Sequence, residues 1–397
     1  MRSILFLIAL FMVLCGKMVA GPYAVYLTWQ KDPTTTMTIQ WISEKGTMTS
    51  LIEYKEEGAV DWKSDQGSAR DLPQKVPYKM HVVELQNLQP NTKYCFRFHS
   101  KGKIRRFCTM PKTLEKPITF VVGGDTSHGG VEVFKETNRL AAKTDPSFAI
   151  LGGDLAYACE HEADRKEDSK EWLHWIRAYS DTMVTQKGYL IPLLVCIGNH
   201  DVSGSFGQKP ENARFFYCLF VMPGLPGYNT LRFSNYLSLY LLDSNHTNPI
   251  KGAQSKWLAC ELAKDQQMQN RFAVYHVPAY PSRRSLTSEP TATIRKYWVP
   301  IFEEYNLHAA FENHDHNYKR TYPLREGKMH PKGVVYIGDG SWGAKPQPCA
   351  KNPHKAFIAS FHSVRQFLKV ELSEKQRTFT AIDSKGKVID QYVQEVR

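Results

Sequence analysis

Seven side chains of metal-binding type stand at the ends of five apolar runs. They are Asp125 in GGDTS, Asp154 and Tyr157 in GGDLAY, Asn199 in GNHD, His276 in VYHVP, and His314 and His316 in NHDH. Each run (ITFVV, FAILG, LLVCI, RFAVY, HAAFE) reads as a short buried strand. The polar groups then fall where the strands of an α/β sheet release into loops, the usual place for ligand sites. Two metal ions held side by side need one carboxylate that touches both and separate terminal ligands for each. Asp154 is the best candidate for the bridge. Oxygen ligands suit a hard trivalent ion, whereas imidazole nitrogens and an amide oxygen suit a divalent one such as zinc, iron(II) or manganese. The set divides unequally between these preferences, which suggests two different metals.

Taken singly, each motif has a structural explanation. Gly-Asp after a strand is common as a turn or helix cap, and GNHD or His-x-His also occur as hydrogen-bonded loop residues. Five such motifs in one order make coincidence a poor account. His128, shortly after Asp125, is read as an exposed loop histidine and left out of the site.

On these five blocks the chain resembles the purple acid phosphatases, within the calcineurin-like metallophosphoesterases, from about Gly21 to the C-terminus. The resemblance implies Asp125, Asp154, Tyr157 and His316 as ligands of Fe(III). It implies Asp154, Asn199, His276 and His314 as ligands of a divalent metal, zinc, iron(II) or manganese. Tyr157, three residues after Asp154, matches the tyrosinate that colours the family purple. The implied activity is hydrolysis of phosphate monoesters under acid conditions, a water acidified by the metals serving as nucleophile. His200 is implied beside the substrate, protonating the leaving oxygen or holding phosphate; with an ordinary pKa of about 6.5 it is charged in acid. Asp201 is the neighbour expected to orient it.

Three positions depart from the family pattern without removing a ligand: Ser127 and Asn313 stand where glycines are usual, and Ala273 where valine is common. Asparagine at 313 tolerates the left-handed conformation that such a glycine often supplies. A histidine that often follows the fourth block is missing from Pro281-Ser-Arg-Arg-Ser-Leu-Thr, so Arg283 or Arg284 is the candidate phosphate contact there.

The elements around these motifs fall into three stretches. Met1 to Ala20, with an uncharged apolar run from Ile4 to Cys15, reads as a secretory signal peptide, too short to span a bilayer. Cys15 offers a lipid-anchored alternative. Residues 21–112 show short alternating strands and turns, hence an all-β sandwich. Trp41 and the stretch Leu88 to Tyr94 resemble a fibronectin type III module, with Tyr94 bonding back to the chain as a tyrosine corner. After a linker, residues 117–397 alternate strand-like and helical runs, an α/β domain that the resemblance makes a four-layer α/β/β/α sandwich. Helices are expected over Glu132 to Lys143, Glu171 to Val184, Gln254 to Ala263 and Ala292 to Tyr305. Trp172, Ile176, Tyr179 and Met183 share one helical face and read as core.

The formal charge of +12 falls to +10 without the leader. Such a surplus steers anions, and phosphorylated small molecules are the simplest partners, since no basic-aromatic stripe signals specific nucleic-acid binding. Seven cysteines lie beyond the leader, an odd number. Cys95 and Cys108 flank Lys101-Gly102 symmetrically and are expected to face each other as a cross-strand disulfide; Cys196 reads as a buried thiol. Asn245-His246-Thr247 is a glycosylation sequon, which marks a surface loop if used. Two other functions compete: a phosphodiesterase or nucleotide pyrophosphatase with the same metals, and a secreted binding or adhesion protein with an inactive centre.

Overall fold

The computed structural model describes residues 21–159, 167–338, 340–348 and 356–396. The leader with Cys15, and Cys349, lie outside the described residues.

The N-terminal part holds two four-stranded antiparallel sheets. One runs Ala24–Thr28, Met37–Glu44, Tyr78–Leu85, Ser68–Asp71; the other runs Lys63–Gln66, Leu51–Glu56, Lys93–Arg97, Arg105–Cys108. Alternate residues Met37, Ile39 and Trp41 point into the core with Phe96 and Phe107, as a two-residue period requires. The intervening Thr38, Gln40 and Ile42 are buried as well. They face the rest of the molecule: Gln40 and Tyr26 both donate to the Leu219 carbonyl, at 2.9 and 2.7 Å. The Tyr94 hydroxyl does bond back to the chain, accepting from the Gln89 N–H at 2.9 Å.

The expected Cys95–Cys108 disulfide is not formed, and both thiols are free. Cys95 pairs with Arg106 and Cys108 with Lys93, because the turn closes around Ser100-Lys101, one residue earlier than the symmetry of the sequence suggests. That one-residue shift displaces each partner by two, and the two cysteines lie diagonally across the ladder.

Beyond Pro117 two mixed sheets pack face to face. The first, in order Leu193–Val195, Ala149–Leu151, Ile118–Gly123, Gln366–Leu372, Gln376–Asp383, Val388–Glu395, has its first three strands parallel. The second runs Asn229–Phe233, Leu237–Leu241, Asn270–Val274, Ala309–Glu312, Val335–Gly338, Tyr318–Thr321, Ile358–His362, parallel from Leu237–Leu241 through Val335–Gly338. Phe120, Val122, Ile150 and Leu194 of the first sheet meet Phe272, Val274 and Phe311 of the second in one core. Outward-facing Val121, Ala149 and Leu151 are covered by helices Val131–Ala142 and Ser169–Thr182. Ala273, Tyr275 and Ala310 are covered by Ser255–Lys264, Thr291–Tyr297 and Val299–Glu304. Three apolar layers between four layers of structure are the expected α/β/β/α arrangement. Trp172, Ile176, Tyr179 and Met183 are all at most 2% exposed, the core face read from their spacing. The helix expected over Ala292 to Tyr305 is instead two, broken at Trp298, because Pro300 brings no N–H donor and suits only a first turn.

The buried thiol of Cys196 donates across to the Val274 carbonyl at 3.2 Å. In the sequon loop Asn245 is partly exposed. His246 and Thr247 are buried, and Asp243 accepts from both backbone N–H groups and from the Thr247 hydroxyl. No helix among the described residues is long and apolar enough to cross a membrane.

Candidate metal centre

All seven candidate ligands leave the same ends of the two sheets. Asp125, Asp154 and Asn199 follow three adjacent parallel strands of the first sheet; His276, His314 and His316 follow two adjacent parallel strands of the second. The loops approach so closely that only glycine fits at the crossings. A Cβ on Gly198 would lie 2.3 Å from Asp154 Oδ1, and one on Gly152 would lie 1.9 Å from the Asn313 amide nitrogen.

The backbone carries strain at the same places. Asp125, Asp154, Tyr157, His314 and His316 have φ of 54°, 51°, 52°, 76° and 54°, in the left-handed region that non-glycine residues seldom occupy. Strain of this kind persists where surrounding contacts over-determine it and gathers at functional sites. Asn313 does not use the left-handed conformation that asparagine tolerates; the residue after it does. Its side chain instead fills the space between the Gly124 and Gly152 loops and donates to the Tyr275 carbonyl at 3.0 Å. Ser127 and Thr126 both donate to the Leu155 carbonyl, at 2.8 and 2.6 Å, which closes the turn where the family has glycine.

The side chains gather in two groups. In one, Asp125 Oδ1 lies 3.0 Å from His316 Nε2 and 3.2 Å from the Tyr157 hydroxyl, with 3.3 Å between hydroxyl and imidazole. In the other, His276 Nε2 lies 3.0 Å from His314 Nδ1, 3.1 Å from Asn199 Oδ1 and 3.3 Å from Asp154 Oδ2. Asp154, His276 and His314 alone present ligand atoms all within 4.8 Å of one another. His276 Nδ1 faces the Gly152 carbonyl at 3.0 Å and must carry the proton there, so in the neutral ring Nε2 is a bare acceptor among other acceptors. At most one N–H, from His314, then serves three acceptor atoms. A cation satisfies them all.

The electrostatics show the same need for positive charge, which a proton on His276 Nε2 can also supply. Burial alone would lower the His276 imidazole, but the Asp154 and Asp125 carboxylates outweigh it and push it up to about 9. Burial, with His276 beside it, holds His314 well below the usual range and neutral, the form that ligates. The Tyr157 phenol is raised by burial and by Asp125 and Asp154, so its ionisation requires a strong Lewis acid at the hydroxyl. The residues therefore fit a pair of cations of unlike hardness.

Around the ligands, His200 N–H donates to Asp154 Oδ1 at 2.7 Å, and its ring Nδ1 donates to the Cys159 carbonyl at 3.1 Å. The Cys159 carbonyl thus orients the ring, the task expected of Asp201. The Asp201 carboxyl instead accepts from the N–H groups of Gly198 and Leu155, at 2.9 and 2.8 Å, and ties two ligand loops together. Arg284 is committed to Asp315, at 2.8 Å, and to the His314 carbonyl. Arg283 is exposed, and its backbone N–H donates to the same carboxylate at 2.8 Å.

Sequence reasoning missed three contributors. His246 packs its ring 5.5 Å from that of His276. Glu312 accepts from Tyr275 and from the Ala279 N–H and pairs with the buried Lys319, which binds the His276 loop to the His314 strand. His128 is exposed as expected, yet its ring centre lies 5.0 Å from that of Tyr157 and 5.5 Å from that of His316. A strand-end Asp followed three residues later by His was the available signal.

Residues 22–110 match the purple acid phosphatase N-terminal domain, and residues 99–318 match the calcineurin-like phosphoesterase domain. Purple acid phosphatase 21 of Arabidopsis thaliana is 26% identical over 354 residues, covering 83% of this chain and 74% of its own. Mouse acid phosphatase type 7 is 23% identical, covering 82% and 78%. Among solved structures, a purple acid phosphatase from yellow lupin seeds superposes with a TM-score of 0.78 at 16% identity, over 94% of this chain and 73% of that one. The second domain match spans more than half of the chain and includes all five ligand-bearing loops. With the purple acid phosphatase N-terminal domain ahead of it, the chain belongs to the calcineurin-like phosphoesterases and is a hydrolase of the purple acid phosphatase type.

Proposed function

We propose that the protein hydrolyses phosphate monoesters under acid conditions at a mixed-metal centre, Fe(III) with zinc, iron(II) or manganese. The observation that carries this is the division of the ligands. Asp125, Tyr157 and His316 form an oxygen-rich group suited to a hard trivalent ion, and Asn199, His276 and His314 a nitrogen-rich one suited to a divalent ion. Asp154 would be the carboxylate shared by both ions. Two bound cations would offset the charge of the phosphoryl oxygens and acidify a water. His200, its Nδ1 proton held by the Cys159 carbonyl, directs its other nitrogen to the leaving oxygen and gives it a proton. Arg283 is the cation of the arginine pair open to an anion, since Arg284 is held by Asp315. The apolar run from Ile4 to Cys15 supports export from the cytoplasm.

Hydrolysis of 4-nitrophenyl phosphate against bis(4-nitrophenyl) phosphate by metal-loaded protein tests the reading, with Asp154→Ala as the control. Turnover of the monoester in excess, abolished by the substitution, is expected. Preference for the diester would make the protein a phosphodiesterase, and no turnover of either would refute the enzymatic reading.

A further inference from the structure

Two histidine rings border Tyr157: His200 stacks on it at 4.6 Å between centres and 29° between planes, and His128 stands at 5.0 Å and 46°. The His128 ring is also 5.5 Å from that of His316, so it borders the same ligand group. The four rings differ in how they are held. Tyr157 and His316 meet Asp125, and His200 meets the Cys159 carbonyl. His128 is exposed and makes no hydrogen bond to the protein among the described residues.

The loop that carries His128 is nonetheless built. Thr126 is fixed by the Leu155 carbonyl and by the Trp175 indole, which donates at 2.8 Å. The Gly130 N–H donates to the Ser127 carbonyl at 2.8 Å, closing a turn around His128. Behind it, Gly343 and Ala344 donate to the Asp125 carbonyl at 3.1 and 2.9 Å, and there is no room at Gly343 for a side chain, because a Cβ would lie 1.7 Å from the Thr126 carbonyl oxygen. A hydrogen-bonded turn thus presents an imidazole, with no hydrogen-bond partner among the described residues, to the rim of the ligand group beside Tyr157.

We infer that His128 is a substrate-contacting residue that donates an N–H to a non-bridging oxygen of the bound phosphoryl group and so favours monoesters over diesters. An imidazole has an N–H to give in either protonation state. A monoester dianion keeps three terminal oxygens, so His128 finds an acceptor besides the oxygens that other groups hold. A diester turns one of those oxygens into an ester oxygen linked to a second alcohol, and the His128 donor loses its partner. A donor left without its acceptor discriminates more strongly than added apolar contact does.

The inference rests on the phosphoesterase reading above, and the test separates the two. His128→Ala and His128→Asn are compared with wild type, all metal-loaded, for kcat and KM on 4-nitrophenyl phosphate and on bis(4-nitrophenyl) phosphate. The affinity for inorganic phosphate is measured by titration calorimetry, and the visible spectrum and metal content by absorption. For His128→Ala, about a tenfold rise in monoester KM and in the phosphate dissociation constant is expected, the scale of one hydrogen bond to a charged group. Diester turnover should change less than about twofold, and metal content and spectrum should stay as in wild type. His128→Asn, which keeps an N–H donor, should recover part of the loss. Unchanged phosphate affinity, or equal losses on monoester and diester, would overturn the inference. A wild type without phosphoesterase turnover would overturn the underlying reading instead.

Discussion

The two ligand groups of the centre are built to different degrees of closure. Asp154, Asn199, His276 and His314 are each at most 8% exposed, and the second nitrogen of His276 is held by a backbone carbonyl. In the other group Asp125 is fully buried, but Tyr157 and His316 are only partly so, and the second nitrogen of His316, itself buried, has no hydrogen-bond partner among the described residues. Burial and fixed tautomers pre-organise the nitrogen-rich side, whereas the oxygen-rich side keeps its rings at the surface beside His128 and His200. A site that must hold metal and also admit a substrate divides the two tasks between its halves.

The largest expected effect comes from breaking the closed half. His276→Ala removes the atom around which three other acceptors are arranged. Divalent metal content measured by atomic absorption should fall to background, with kcat/KM down by about a thousandfold, the scale of a lost electrostatic element at a transition state. Retention of divalent metal would show that His276 is not a ligand.

Tyr157→Phe sharpens the contrast from the open side. The phenol is one oxygen among several acceptors there, and its removal leaves Asp125 and His316 in contact. Iron-loaded wild type should be purple or pink, and the variant should lose the band while kcat/KM changes less than about tenfold. A colourless iron-replete wild type would refute the tyrosinate assignment.

The smallest effect concerns the chain segment that leaves Tyr157. Its far end is pinned at Glu167, whose carboxylate accepts from the N–H groups of Arg214 and Phe215 at 3.1 and 3.0 Å. Burial pushes that carboxyl up to about 7, against about 4.3 for an unfolded glutamate. The folded state therefore binds the proton more tightly. The contribution to stability is complete below the unfolded value and is lost as pH rises through 7. The difference amounts to about 3 kcal/mol across that window. Urea midpoints measured between pH 4.5 and 7.5 should decline more for wild type than for Glu167→Gln, and parallel declines would exclude Glu167 as the source. The sign suits a protein that works in acid.

The candidate ligands are legible because their chemistry is local: each is a polar residue placed just after an apolar run, and run and residue fold as a unit. What escaped depends on separate segments meeting. The division of the site between two sheets follows from strand order, which periodicity does not report. His128 resembles any exposed loop histidine until Tyr157 and His316 arrive beside it. Asn313 was judged by the glycine it replaces, yet its role is to fill a gap between loops nearly two hundred residues away in the chain. The Cys95–Cys108 expectation failed because a hairpin's register is set at its turn, and no residue there fixes the turn uniquely.

The N-terminal sheet that contains Ala24–Thr28, Met37–Glu44, Tyr78–Leu85 and Ser68–Asp71 is buried on both faces along its first two strands. Its residues Tyr26, Gln40 and Arg70 reach the carbonyls of Leu219 and Cys218, and Gln74 reaches that of Glu167. Ala24, Ile42 and Met80 of that sheet belong to the same apolar cluster as Trp172 and Phe220. The N-terminal part is therefore a lid on the hydrolase's own interior and not a module that recombination could exchange freely. Any replacement would have to inherit the complementary face along with the sandwich, or leave an oily scar on the hydrolase large enough to drive aggregation.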